Sequence, residues 1–172
     1  MVSLYKGCSS DLHQFEKYQD LPTKGAADVE HFAIDGSLFL AFANFRDDSD
    51  GFSTKSFIYK LNDSTAKFSL YQTIDTIGAY VFEYFTVADK HYLAVANFKS
   101  EKGKWNLESV IYQWNGQQFD VLQNISTNGA TKQRKMRKNC FLPLRIIVMA
   151  IRSVSSQSST NGAAGSLKSF RR

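Results

Sequence analysis

The chain has 172 residues and a formal net charge of +5, a balance that points toward nucleic acid until it is divided by region. Residues 1–130 hold 11 Lys and Arg against 16 Asp and Glu, a net of −5, whereas residues 131–172 hold 10 Lys and Arg and no acid. The basic character therefore belongs to the last quarter of the chain, and nucleic acid is not an expected partner of the rest. Aromatic residues divide the same way, with 22 of 24 before Thr131. The two cysteines, Cys8 and Cys140, do not identify a redox compartment.

The chain opens inside a repeating pattern. The run LYKG at positions 4–7 precedes Phe15 much as IYKL at 58–61 precedes Phe68. Residues 1–22 accordingly read as the end of one repeat, followed by a full repeat over 23–75, a second over 76–128, and the opening of a third. Displaced by 53 positions, residues 15–62 match residues 68–115 at 17 of 48 sites without a gap, which is an internal duplication and must be settled before any motif is read. The returning residues include Gly25 and Gly78, Glu30 and Glu83, Phe32 and Phe85, Leu40 and Leu93, Asn44 and Asn97, and Tyr59 and Tyr112. A third copy begins with Phe119, Gln123, Gly129 and Ala130 and then stops.

Each copy reads as four short strands. Residues 27–34 mix polar and apolar side chains and lead into Asp35-Gly36, the pair favoured in a two-residue type I′ hairpin. The next run, FLAFANF at 39–45, returns as YLAVANF at 92–98, and its nearly continuous apolar character predicts a strand buried on both faces, with a buried helical turn as the alternative. Small Ala41 and Ala43, matched by Ala94 and Ala96, predict close approach of a neighbouring sheet. A polar loop over 46–54 separates this strand from KSFIYKLN, and a second turn leads to KFSLYQTID. Four strands recurring about every 50 residues predict a β-propeller blade.

The motifs F-x-x-Y-Q, G-A-x-x-x-E-x-F, F/Y-L-A-x-A-N-F and S-x-I-Y-x-x-N, carried by residues 15–62 and again by 68–115, resemble the EAR repeat of the epilepsy-associated repeat family, also called EPTP. The resemblance spans roughly residues 2–130 and implies an all-β fold: two complete four-stranded blades and two partial ones from a seven-bladed β-propeller. It implies a non-catalytic, secreted or cell-surface module that binds other proteins, probable partners being extracellular receptors, and a role in signalling such as regulation of the Notch pathway. Two alternatives remain: a carbohydrate-active enzyme built on a propeller, which needs converging carboxylates, and an intracellular form whose basic tail binds nucleic acid. An incomplete ring leaves end sheets without neighbours, so the isolated chain is expected to be marginally stable.

Candidate sites are few. Glu30 and Glu83 could face a central channel and hold calcium, against the plainer role of polar residues on half-exposed strands. The loop RDDSDGF at 46–52 fails the EF-hand pattern, because Arg46 and Phe57 stand where ligands belong. His13, His31 and His91 lack metal-site spacing, and no serine lies in a nucleophile elbow. No catalytic residue or bound cofactor is expected. Two sequons, at Asn62 and Asn124, permit N-glycosylation in a secreted chain.

After Ala130 the pattern breaks, and residues 129–172 read as an aberrant or disordered basic, Ser-rich tail, produced by a changed reading frame or a read-through intron. Its apolar run, CFLPLRIIVMAI, is too short to span a bilayer, which takes about 20 residues. The first residues lack the apolar core of a signal peptide, and because Met1 falls within a repeat an incomplete start is expected.

Overall fold

The computed structural model describes residues 1–7, 15–132 and 149–150. The sequence readings of His13, Cys8, Cys140 and of residues 133–148 and 151–172 lie outside them. The described residues are all β. They form β1 (Val2–Gly7), β2 (Phe15–Leu21), β3 (Ala26–Ile34), β4 (Ser37–Asn44), β5 (Lys55–Asn62), β6 (Lys67–Asp75), β7 (Ala79–Val87), β8 (Lys90–Asn97), β9 (Asn106–Trp114), β10 (Phe119–Asn128), β11 (Thr131–Lys132) and β12 (Met149–Ala150). Two antiparallel four-stranded sheets, β3-β4-β5-β6 and β7-β8-β9-β10, are accompanied by two-stranded β1-β2 and β11-β12. The described residues do not close into a ring.

Local chemistry sets the hairpins. Asp35 and Gly36 have φ of 47° and 76°, and their counterparts Ala88 and Asp89 have 48° and 61°, so both turns have the two positive φ values of type I′. The turn matches the right-handed strand twist and fixes the register, pairing Ile34 with Ser37 and Val87 with Lys90. The two sheets also share their irregularities: the register slips at Ala26/Asp28 in one and at Ala79/Val81 in the other.

Alternation along β4 sends its residues into two cores. Phe39, Ala41 and Ala43 enter a cluster with Phe32, Ile34, Ile58 and Ile74, closed from the second sheet by Phe82, Leu93, Val95, Tyr112 and Phe119. Phe42 points the other way, packing with Leu21 and Tyr59 against Val2 and Leu4 of β1. The strand is thus buried on both faces, each fully covered Phe contributing roughly 1.5–3 kcal/mol. The run ends earlier than its apolar pattern suggested: β4 stops at Asn44, and Phe45 lies beyond it, half-buried.

Asn44 ends the strand because its polar groups have work to do inside. Its N–H donates to Ser56 Oγ at 3.1 Å and its Nδ2 to the Lys55 carbonyl at 2.7 Å, while Ser56 Oγ lies 2.8 Å from Thr76 Oγ1. The second sheet repeats the arrangement with Asn97, Ser109 and Thr127, at 3.3 Å, 2.7 Å to the Glu108 carbonyl, and 2.8 Å. These buried groups satisfy one another, as a dry interior requires.

The sheets are also tied at both edges. Gln19 on β2 clasps Phe68 on β6, its Nε2 donating to the Phe68 carbonyl at 2.7 Å and its Oε1 accepting from the Phe68 N–H at 2.9 Å. Gln72 on β6 holds Phe119 on β10 identically, at 2.8 and 3.0 Å. The amide imitates one rung of a β-ladder between last strands. Between the first strands, the carboxylates of Asp28 and Glu30 on β3 accept from the N–H groups of Phe82 at 3.2 Å and Tyr84 at 3.3 Å, and the Tyr84 ring stacks on Phe32 at 4.5 Å.

Gly78 supports the junction between sheets. Its φ is 57°, its carbonyl accepts from the Phe98 N–H at 2.9 Å, and a Cβ there would sit 2.2 Å from the Lys99 carbonyl oxygen. Gly36 has positive φ but open space where a Cβ would go. Gly78→Ala should therefore cost well over the ~1–3 kcal/mol of a strained φ, and Gly36→Ala only that strain, as measured by urea denaturation; equal losses would show that the close approach is not rigid.

Tyr112 supplies a pH test. Burial, with a smaller contribution from the charge of Asp75, pushes its phenol up to about 12. An unfolded tyrosine ionises near 10, so between about pH 10 and 12 the folded state retains a proton that the unfolded state releases, and stability falls with rising pH. On the order of 2 kcal/mol should be lost across that window, and Tyr112→Phe should flatten the loss when unfolding is compared at pH 9 and 11.5.

Candidate functional site

At one end of the two sheets, the β4–β5 loop (residues 46–54) and the β8–β9 loop (residues 98–105) lie side by side. Phe45 packs edge-on against Phe52 at 5.0 Å and Tyr80 at 5.8 Å, and Phe98 lies 5.2 Å from Tyr80 and 4.8 Å from Trp105. The result is a continuous aromatic rim crossing from one sheet to the other. Its outer members are open to solvent, Tyr80 at 43% and Trp105 at 41%.

Cations lie over the rings. Arg46 Cζ is 5.7 Å from the centroid of Phe52, and Lys99 Nζ is 5.7 Å from Phe52 and 5.4 Å from Trp105. In the 53-residue repeat, Phe45 corresponds to Phe98, Arg46 to Lys99, and Phe52 to Trp105. Each full copy therefore contributes one aromatic, one cation and a second aromatic. An amphipathic edge of this kind offers a partner apolar ring area together with fixed positive charge, the composition found at protein contact centres.

The loops are braced from below. Asp47 and Gly51 exchange both backbone hydrogen bonds at 2.8 Å. The Asp47 carboxylate accepts from the Ser49 hydroxyl and N–H and the Asp50 N–H, and these hydrogen bonds, led by the hydroxyl, hold its acid below the ordinary carboxylate range. Lys24 pairs with Asp50, and the carboxylate of Glu101 accepts from the Phe52 N–H, joining the loops. The segment 46–52 is thus a pinned turn, with Thr54 buried beneath it.

The sequence-predicted sites fall elsewhere. The Glu30 carboxylate meets the β7 backbone, and Glu83 is also engaged; among the described residues no three His, Cys, Asp or Glu converge as a metal site. His91 Nδ1 lies 2.6 Å from the Tyr84 hydroxyl. Gly25, Gly78, Asn44, Asn97, Tyr59 and Tyr112 belong to the framework below the rim, Tyr59 through a 2.5 Å hydrogen bond from its hydroxyl to the Pro22 carbonyl. The rim itself escaped sequence reading because only Phe45 and Phe98 repeat by identity; Arg46 with Lys99 and Phe52 with Trp105 repeat by chemistry.

The two sequons differ in presentation. Asn62 is exposed at the end of β5, its Oδ1 accepting from Ser64 and Thr65 N–H at 3.0 and 3.1 Å, which leaves its Nδ2 facing outward from the turn. Asn124 lies within β10 and its Nδ2 donates to Glu108 at 3.1 Å. Secretion from a glycosylating host should place a glycan on Asn62, read as a mass shift that peptide N-glycosidase removes and Asn62→Gln abolishes; a shift retained in Asn62→Gln would assign it to Asn124.

The geometry agrees with the relatives. The EPTP domain model matches residues 14–62 and 67–115, each unit running from the last strand of one sheet through three strands of the next. The human thrombospondin-type laminin G domain and EAR repeat-containing protein is 43% identical over 119 residues, and the mouse protein of that name 40% identical over 119 residues. The match covers 68% of this chain and 18% of either relative, so the chain spans less than a fifth of their length. A duplicated unit that straddles two sheets, matched twice by one domain model and sharing this identity, places the chain in the EPTP (EAR repeat) family.

Proposed function

We propose that the two four-stranded sheets are blades of a β-propeller, seven-bladed in the parent protein, and that the aromatic and cationic rim is a protein-binding surface. Residues 23–75 and 76–128 form the two blades of this reading, with 1–22 the end of a preceding one and 129–172 standing where the next belongs. The observation that carries the proposal is the repetition of an exposed cation-over-ring pair, Arg46 with Phe52 and Lys99 with Trp105, on adjacent loops. Framework residues repeat because both sheets face the same packing problem; solvent-facing rings and cations have no such reason.

The family is one of non-enzymatic repeats, and a role in recognition fits a rim without a deep cleft. By its likeness to proteins whose name includes a thrombospondin-type laminin G domain, the setting is secreted or cell-surface, and the partner is a receptor or adhesion protein presenting carboxylates beside apolar side chains. Regulation of Notch signalling is the most specific form of this reading. Among the described residues no helix is long and apolar enough to cross a membrane.

Binding of the purified, fluorescently tagged chain to intact cells tests the proposal. Trp105→Ala combined with Lys99→Glu should lower binding by about tenfold or more while leaving the β-sheet circular dichroism unchanged, since aromatic and cationic anchors dominate such contacts. Undiminished binding would reject the rim as the contact surface.

A further inference from the structure

The two ends of the chain are halves of one sheet. β2 leads directly into the first full sheet as β6 leads into the second, and β1 pairs with β2 as β5 pairs with β6, so β1-β2 occupy the places of third and fourth strands. At the other end, β11 lies against β7 and β8 as β7 lies against β3 and β4, and β12 pairs with it through Thr131 with Ala150 and Lys132 with Met149. β11-β12 therefore occupy the places of first and second strands. One end lacks what the other supplies.

Exposure at the ends points the same way. Tyr5 is 61% exposed where its repeat counterpart Tyr59 is 4% exposed, and Phe15 is 71% exposed where Phe119 is 2% exposed. Gln123 repeats Gln19 and Gln72, both of which clasp the backbone of the Phe that opens the next sheet's last strand, and among the described residues the Gln123 side chain has no such Phe to hold. The one remaining Phe in that repeat position is Phe15.

We propose that a second copy of this chain docks head to tail, its β1-β2 pair completing the β11-β12 pair of the first into a composite four-stranded sheet, with the Gln123 amide clasping the N–H and carbonyl of the partner copy's Phe15. Such a contact is heterologous, joining different surfaces on each copy. Each copy then contributes three sheets, two complete and one composite. If the blade reading above holds, on which this closure rests, two copies make a ring of six, within the four to eight blades that propellers adopt, and three copies exceed it.

Sedimentation of the full chain over a concentration series tests this. A dimer is expected. Gln123→Glu, which removes the amide donor, and Phe15→Asp should each weaken it by about tenfold or more with the circular dichroism preserved. Mixed in equal amounts, the two variants should form heterodimers more tightly than either forms homodimers, because one of the two contacts is then wild type. A monomer at all concentrations, a dimer indifferent to both substitutions, or variants that fail to complement would overturn the proposal. Gln72→Ala separates this from the blade reading: a loss of monomer stability upholds face-to-face sheets whatever the dimer does, whereas no loss removes the clasp as a structural element and the proposal with it.

Discussion

Burial of β4 and β8 on both faces is the constraint on which the structure depends. A sheet with one wet face is complete once its other face is covered. A sheet whose second strand carries Phe39, Ala41 and Ala43 on one side and Phe42 on the other needs a neighbour on each side. Stacking is then the solution, and every sheet must present both a surface to pack and a surface to be packed against. A repeated sequence meets that demand economically, because one set of residues solves both halves of the interface wherever it recurs.

Hydrophobic faces alone do not fix how one sheet sits on another, since flat apolar layers tolerate sliding. The polar ties supply the position. The glutamine clasps demand that an amide meet one particular N–H and carbonyl, and Asp28 and Glu30 demand alternate N–H groups along β7. Each such bond contributes only about 0.5–1.5 kcal/mol net. Leaving one unmade in a half-buried joint costs more, so the ties select the register that the apolar contacts leave loosely defined. The buried Asn, Ser and Thr groups act at a shorter range, anchoring each second strand to the third and to the turn beyond it.

Much of this was legible in the sequence because strand burial and turn chemistry are local. Asp35-Gly36 announced its hairpin, and the run around Ala41 and Ala43 announced a strand between two sheets. The ties were hidden although their residues repeat: Gln19 and Gln72 are visible as a pattern, but their partners lie about one repeat away and are backbone atoms, which leave no mark in side-chain spacing. Glu30 illustrates the same limit, since repetition suggested a shared metal site while its carboxylate reaches the next strand's N–H. Phe45 misled in the other direction. Its apolar character extended the predicted strand, yet Asn44 is where the buried polar network ends the ladder, and one residue further the chain has turned out to the rim.

That single-residue boundary separates two kinds of repetition. Up to Asn44 and Asn97, a substitution must satisfy the same packed geometry twice over, so identity is preserved between copies. Beyond them, Arg stands in for Lys and Phe for Trp without altering the stack, because the loops are braced by their own backbone pairing and by Glu101 rather than by the cores. The framework is therefore free to hold the rim in place while the rim varies in ring size and in the shape of its charge. A recognition surface built this way can change its partner without changing its fold, which is the physical reason to look for specificity at Arg46, Phe52, Lys99 and Trp105 and for stability below them.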